Sequence, residues 1–129
     1  MKKRCFIIMS VVIFFSLLFF VISPAETQAT TTVQEIKANP SRFDGRMVEV
    51  VGVAENLIKT VSRRGNKYYT INLTDKKSSI KVFNFGEPSF EEGDKVIVKG
   101  VFLIENRVRN RVFRNEIDAS KGGSVNKIR

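Results

Sequence analysis

The chain has 129 residues, with 22 lysines and arginines against 13 aspartates and glutamates, so its formal net charge is +9. This length suits a single domain, and the charge favours anionic partners over cationic ones. The sequence contains no histidine, which excludes His-based catalytic triads and His-ligated metals. Its one cysteine excludes disulfide frameworks and Cys-cluster zinc sites.

The first 29 residues have the composition of an export signal. Basic residues at positions 2–4 precede the segment 5–22, which is apolar apart from two serines. Small residues at 23–25 and 27–29 have the spacing that signal peptidase accepts. We therefore predict a signal peptide over 1–29, with an uncleaved membrane anchor over 5–22 as the alternative. Either one makes the protein an exported one, periplasmic or extracellular.

The elements predicted after this segment are one short helix and five strands. Apolar residues at Val33 and Ile36 indicate a helix over 33–39, which Pro40 ends. Residues 120–129 are polar and are predicted to form a flexible tail. The segments that alternate or are rich in β-branched residues between turn signals predict strands over 47–58, 68–74, 80–85, 95–104 and 111–119.

Short strands with no helix between them predict an all-β barrel or sandwich. Gly52, inside the long first strand, allows the bend by which one strand serves both sides of a small barrel. The combination of segments 43–53, 68–75, 80–83 and 93–100 resembles bacterial OB-fold domains. It is similar to the nucleic-acid-binding group that includes tRNA anticodon-binding domains. The resemblance implies a five-stranded OB-fold barrel over residues 30–119, with a short N-terminal helix.

The resemblance also implies where a ligand binds. In OB folds the ligand face lies on the second and third strands, between the loops that follow the first and fourth strands. Basic loops beside exposed aromatic rings suit single-stranded nucleic acid, because guanidinium groups pair with phosphates and rings stack on bases. The candidate residues are Lys59, Arg63, Arg64 and Lys67 in the first loop, Tyr68, Thr70, Asn72, Lys81 and Phe83 on the strands, and Arg107, Arg109, Arg111 and Arg114 around the fourth-strand loop.

The same residues have simpler interpretations. A basic hairpin loop is often only solvated surface, and charged side chains often cover the outer face of a strand. Tyr68 has an alternative role as a cross-strand packing residue. Phe83 and Phe85 compete with Ile80 and Val82 for the interior of the third strand, so the sequence leaves both arrangements open.

Three functions remain at this level. The first is an exported OB-fold protein that binds single-stranded nucleic acid or another polyanion. The second is a cell-envelope interaction or stress protein that binds an anionic glycan, a lipid headgroup or a protein partner. The third, a metal-dependent nuclease-like hydrolase, ranks last, because the acidic segment 87–94 lacks the spacing of a calcium loop. We therefore expect no enzymatic activity, no catalytic residue, no metal and no cofactor.

Overall fold

The computed structural model of the protein describes residues 29–129. The predicted signal peptide or anchor, except for Ala29, lies outside the described residues. Neither described helix is long and apolar enough to cross a membrane. The elements within the described residues are two helices, α1 (Val33–Ala38) and α2 (Pro40–Phe43), and seven strands, β1 (Ala29–Thr31), β2 (Met47–Val61), β3 (Lys67–Asp75), β4 (Ser78–Phe85), β5 (Lys95–Val108), β6 (Arg111–Asp118) and β7 (Ser124–Lys127).

The predicted N-terminal helix is confirmed as α1. The Thr32 side-chain oxygen accepts a hydrogen bond of 3.1 Å from the Glu35 N–H, which satisfies a free donor at the helix start. Ile36, one turn along, is buried in the core. Pro40 begins α2, where its missing N–H costs nothing, because the first N–H groups of a helix have no partner within it.

Five strands form a closed ring, which confirms the predicted barrel. Residues 47–53 of β2 pair antiparallel with β5, and residues 53–61 of the same strand pair antiparallel with β3. β3 pairs with β4, β4 runs parallel to β6, and β6 returns to β5. At Gly52, where β2 passes from one partner to the other, a Cβ atom would lie 2.7 Å from the Thr74 carbonyl oxygen. Only glycine allows this close approach without a shift.

Strict alternation in β3 and β4 decides which side chains enter the barrel. Ile71 in β3 and Val82 in β4 are cross-strand partners, and both are buried. Phe83 and Phe85 therefore point outward, and the alternative left open by the sequence is resolved. Tyr69 is also inside, and burial raises the pKa of its hydroxyl, although that oxygen accepts a 3.0 Å hydrogen bond from the Asn84 side-chain amide.

The β5–β6 hairpin is longer than the sequence predicts. The predicted strands 95–104 and 111–119 leave residues 105–110 between them, but 105–108 continue β5 and pair with 111–114 of β6. Only Arg109 and Asn110 connect the two strands, and Arg109 has a φ of +56°. Charged side chains look like a turn in the sequence, but in a two-stranded ribbon they project into solvent from both faces.

The C-terminal segment corrects the prediction of a flexible tail over 120–129. Residues 124–127 form β7, which pairs antiparallel with Val96–Lys99 of β5. Val125 is almost fully buried by this pairing. β6 pairs with β5 only from Val101 onward, so β7 supplies partners to the backbone groups that precede this point on β5.

Candidate functional site

Three aromatic rings lie side by side on the outer face of β3 and β4. Tyr68 is the cross-strand partner of Phe85, and Phe83 is the next outward residue on β4. The ring centroids of Tyr68 and Phe83 are 5.5 Å apart, and those of Phe83 and Phe85 are 5.1 Å apart with an edge-to-face arrangement. Phe85 is 56% exposed. We call Tyr68, Phe83 and Phe85 the aromatic row, which presents an apolar surface to solvent.

Phe85 was not among the residues predicted from the sequence. Whether Phe85 is exposed depends on which face of β4 points outward, because Phe83 and Phe85 lie two residues apart in the strand and share a face. Ile58, also exposed, extends the same surface onto β2, since it lies opposite Thr70. If the sequence had shown that Ile80 points into the barrel, strand alternation would have predicted that both phenylalanines point outward.

The polar part of the outer face adjoins the aromatic row. Thr70 is the cross-strand partner of Phe83, and Asn72 is the partner of Lys81. The Lys81 ammonium lies 5.9 Å from the centroid of the Phe113 ring, within the range of a cation–π contact. The structure therefore brings together five of the residues predicted for the strand face: Tyr68, Thr70, Asn72, Lys81 and Phe83.

Two carboxylates on the same face were missed by the sequence analysis. Parallel pairing of β6 with β4 places Glu116 beside Lys81 and Asp118 beside Phe83. Both are nearly buried, at 4% and 5% exposure. The Asp118 carboxylate accepts hydrogen bonds from the Ser120 N–H and hydroxyl. The middle of the face is therefore not uniformly positive. The sequence did contain a signal for them, because Glu116 and Asp118 flank Ile117, an apolar residue that points into the barrel. Strand alternation then predicts that both acids share the outer face.

Burial also changes the acidity of one of these groups. Burial raises the pKa of the Glu116 carboxyl above its ordinary value, and the neighbouring Asp118 charge acts in the same direction. The Lys81 ammonium opposes both effects. Glu116 therefore holds a proton more readily than an exposed glutamate does, which lowers the average negative charge at this point.

Two of the predicted lysines lie on the other side of the β2–β3 hairpin. Lys59 is opposite the buried Tyr69, and Lys67 is adjacent to Tyr68 in the chain, so both point away from the aromatic row. Their ammonium groups contact one carboxylate instead, with distances to Glu87 oxygens of 4.0 Å from Lys59 and 3.2 Å from Lys67. The structure therefore does not bring these lysines together with the strand face.

A β-bulge explains where Lys59 points. The pairing of β2 with β3 shifts between Glu55 and Ile58, and Asn56 in this stretch has a φ of +52°. Without the extra residue, continuous pairing from Glu55 would place Lys59 opposite Tyr68, on the outer face. A shift of one residue reverses which side chains face outward, so the bulge turns Lys59 away.

Arg63 and Arg64 occupy the turn that follows β2, at the end of the face nearest the aromatic row. Hydrogen bonds close the turn, from the Ser62 N–H to the Asn66 carbonyl at 2.8 Å and from the Gly65 N–H to the Ser62 carbonyl at 2.9 Å. Both arginines are exposed, and neither takes part in an ion pair between described residues. Their guanidinium groups are available to an anionic ligand.

The second set of arginines lies at the opposite end of the face. Because β6 runs parallel to β4, the residues before Glu116 extend away from Phe85. Counted along β4, through the pairings of β3 and β6 with that strand, Lys67 and Arg111 are about ten residue steps apart. At about 3.3 Å per step this separation is about 33 Å. Among the four predicted there, Arg107 pairs with Glu105 at 3.3 Å, Arg109 lies in the turn, and Arg111 and Arg114 are exposed on β6.

The acidic loop between β4 and β5 has structural roles. The Glu92 carboxylate accepts a 2.7 Å hydrogen bond from the Leu57 N–H, and Asp94 accepts one of 2.8 Å from the Glu91 N–H. Asp94 also pairs with Lys127 of β7 at 3.6 Å. Across residues 29–129, no group of three or more carboxylate, thiol or imidazole side chains could hold a metal ion.

Comparison with known proteins identifies the fold. No model of a protein family matches the chain, and no curated protein does. One similar solved structure is the OB domain of Ta0387 from Thermoplasma acidophilum, with a TM-score of 0.52 at 12% identity, covering 78% of this chain and 88% of that one. Another is a protein from Klebsiella pneumoniae described as a candidate nucleic acid-binding lipoprotein, with a TM-score of 0.54 at 18% identity, covering 81% of this chain and 100% of that one.

Proposed function

The domain is an OB-fold barrel, and we propose that it binds single-stranded nucleic acid along the outer face of β3 and β4. The observation that carries this proposal is the aromatic row, half-buried at Tyr68 and Phe83 and exposed at Phe85. The turn before β3 adds two exposed arginines that take part in no ion pair between described residues. Rings of this kind stack on bases of any sequence, and guanidinium groups pair with phosphates. The description of the Klebsiella neighbour as a nucleic acid-binding candidate adds support.

The distribution of charge favours one orientation of the strand. Arginines that take part in no ion pair between described residues lie towards the two ends of the face, at 63–64 and within 109–114, and the carboxylates of Glu116 and Asp118 lie between them. A phosphate backbone that crossed the middle would pass over these nearly buried acidic residues, and any negative charge on them would repel it. We therefore expect bases to contact the middle of the face and phosphates to contact its ends. A duplex, whose bases are covered, could not use the aromatic row.

The proposed role is binding without catalysis, in an exported or membrane-attached protein. The predicted export signal favours a second candidate, an anionic polymer of the cell envelope, because such a ligand is met outside the cytoplasm. The same arginines would pair with its acidic groups. Competition separates the two: an envelope polymer that displaces an oligonucleotide, while an uncharged glycan does not, would favour the second candidate.

The test is oligonucleotide binding by the full chain over a salt series, measured by fluorescence anisotropy. We expect tight binding at low salt and a linear loss with the logarithm of salt concentration. Arg63→Ala/Arg64→Ala should weaken binding and reduce the slope by about 1.4, since each phosphate contact to a single strand contributes about 0.7.

The matched control removes two charges from the other side of the barrel. Lys95 and Lys99 lie on β5, paired with β2 and β7, and take part in no ion pair within the described part of the chain. Lys95→Ala/Lys99→Ala should leave the affinity nearly unchanged. If the two double variants lose affinity equally, binding reflects net charge alone. If the unmodified chain does not bind at low salt, the proposal fails.

A further inference from the structure

The tip of the β5–β6 hairpin, residues 107–112, combines exposed apolar side chains with arginines. Val108 is 50% exposed and Val112 is 44% exposed. Val108 lies opposite Arg111, and Val112 lies opposite Arg107. Because neighbouring residues in a strand point to opposite faces, each face of the ribbon carries one valine and one arginine. Arg109, at the turn between them, adds a third guanidinium group.

We propose that this tip docks on an anionic membrane surface. Guanidinium groups pair with lipid phosphates, and apolar side chains beside them enter the boundary between headgroups and acyl chains. Two valines on opposite faces of one ribbon suit insertion into a layer that surrounds the tip. A nucleic acid strand would contact a single face. The proposal goes beyond the proposed function, because it gives the tip a lipid partner and leaves the aromatic row to nucleic acid.

The strand register places the tip at the end of the barrel where the chain enters. β1 runs parallel to β2, with Ala29 opposite Val48, so β1 begins at the end of the barrel where β2 begins. β5 runs antiparallel to β2 and passes Met47 at Val101. The part of β5 after Val101 therefore extends from the same end of the barrel at which β1 begins.

The lengths of the two segments agree. Seven residue steps lead from Val101 to Val108, which correspond to about 23 Å at about 3.3 Å per step. Seven steps also separate Ala29 from Ile22, the last residue of the apolar segment, and an extended chain of this length reaches at most about 25 Å. A barrel held at the membrane by residues 5–22 would therefore bring the hairpin tip within reach of the lipid headgroups.

The absence of tryptophan from the sequence gives a direct test. We would introduce Val112→Trp into the full chain and reconstitute it into vesicles of phosphatidylcholine, with or without phosphatidylglycerol. Emission wavelength and quenching by lipids brominated in their acyl chains report whether the tip enters the bilayer. The matched control is Val61→Trp at the end of β2, where the native valine is 59% exposed on the other hairpin.

We expect the Val112→Trp emission to shift to shorter wavelength and to be quenched in the anionic vesicles. The Val61→Trp emission should show neither the shift nor the quenching. Adding Arg109→Ala and Arg111→Ala should lower the fraction of protein that shows the shift, by about fivefold for each arginine if the surface attraction acts alone. Val108→Trp, on the opposite face of the ribbon, is the second reporter if Val112→Trp lacks the circular dichroism spectrum of the unmodified chain.

Three results would overturn the proposal. The first is no shift at either tip reporter in anionic vesicles. The second is an equal shift at Val112→Trp and Val61→Trp, which would mean that a basic protein accumulates at the surface without a preferred orientation. The third is a tip reporter that responds to an oligonucleotide but not to vesicles, which would assign the hairpin to nucleic acid. The oligonucleotide affinity itself is measured separately, so failure here leaves the proposed function standing.

Discussion

Removal of one ring from the aromatic row should separate binding from stability. Phe85→Ala deletes a side chain that is 56% exposed, so less than half of its apolar surface is removed from water in the folded domain. Full burial of a phenylalanine contributes about 1.5–3 kcal/mol, so the free energy of unfolding should fall by about 1 kcal/mol. Stacking of a base on an aromatic side chain contributes about 1–3 kcal/mol, which predicts a 5- to 150-fold rise in Kd.

Anisotropy with a labelled single-stranded oligonucleotide measures the Kd, and urea unfolding followed by circular dichroism measures the stability. Val61→Ala is the control, because Val61 is exposed to a similar extent, at 59%, but points away from the aromatic row. It is the cross-strand partner of Lys67, which also points away from the row. Val61→Ala should leave the Kd unchanged. An unchanged Kd for Phe85→Ala, at a stability close to that of the unmodified chain, would refute the assignment of base stacking to this face.

Four further changes have defined outcomes. Glu87→Gln should raise oligonucleotide affinity about twofold in anisotropy at low salt, because it removes a negative charge beside Lys59 and Lys67, on the hairpin that also carries Arg63 and Arg64; lower affinity would contradict this. Gly100→Ala should lower the free energy of unfolding in urea by about 1–3 kcal/mol, because the new Cβ would lie 2.7 Å from the Ile117 Cγ2 atom; an unchanged urea midpoint would show that the barrel adjusts freely. Arg109→Gly should raise the unfolding free energy by about 0.5–1 kcal/mol, since the φ of +56° strains an arginine but not a glycine. Burial raises the pKa of Glu116, so its favourable contribution is present at low pH and is lost as the pH rises through the folded-state pKa. Glu116→Gln should therefore raise the Tm more at pH 7 than at pH 4, and equal changes at the two pH values would argue against an ionised buried carboxylate.

The barrel could be predicted because its central strands obey simple periodicity. Tyr69, Ile71 and Leu73 alternate with polar residues along β3, and the structure buries all three. By contrast, β7 is four residues long and buries one side chain, Val125, so it carries no periodic signal. Its formation depends on the unpaired edge of a distant strand, which a local pattern does not reveal.

Which of the candidate residues lie on the outer face could be predicted in part for the same reason. Thr70 and Asn72 lie on the outer face because they alternate with buried neighbours. Lys59 does not, since a bulge three residues earlier reverses its direction, and nothing in the sequence of β2 marks the bulge except Asn56. The carboxylate of Glu116 reaches the face only through the parallel pairing of β4 with β6. The paired residues of these two strands are 35 positions apart in the sequence, so no local pattern reveals the contact.

Ring closure in this barrel bears on when the domain can fold. β2 needs residues 95–101 of β5 as one of its partners, and the edge of β4 needs residues 116–118 of β6. A chain that emerges from a translocation pore with its N-terminus first can form the β2–β3–β4 meander early, but it lacks the strands that close the circle until nearly all residues have passed. Native contacts of such long sequence separation form slowly. If the protein is exported as proposed, the strands that close the barrel would join it only after most of the chain has crossed the membrane, and cooperative folding would follow on the far side.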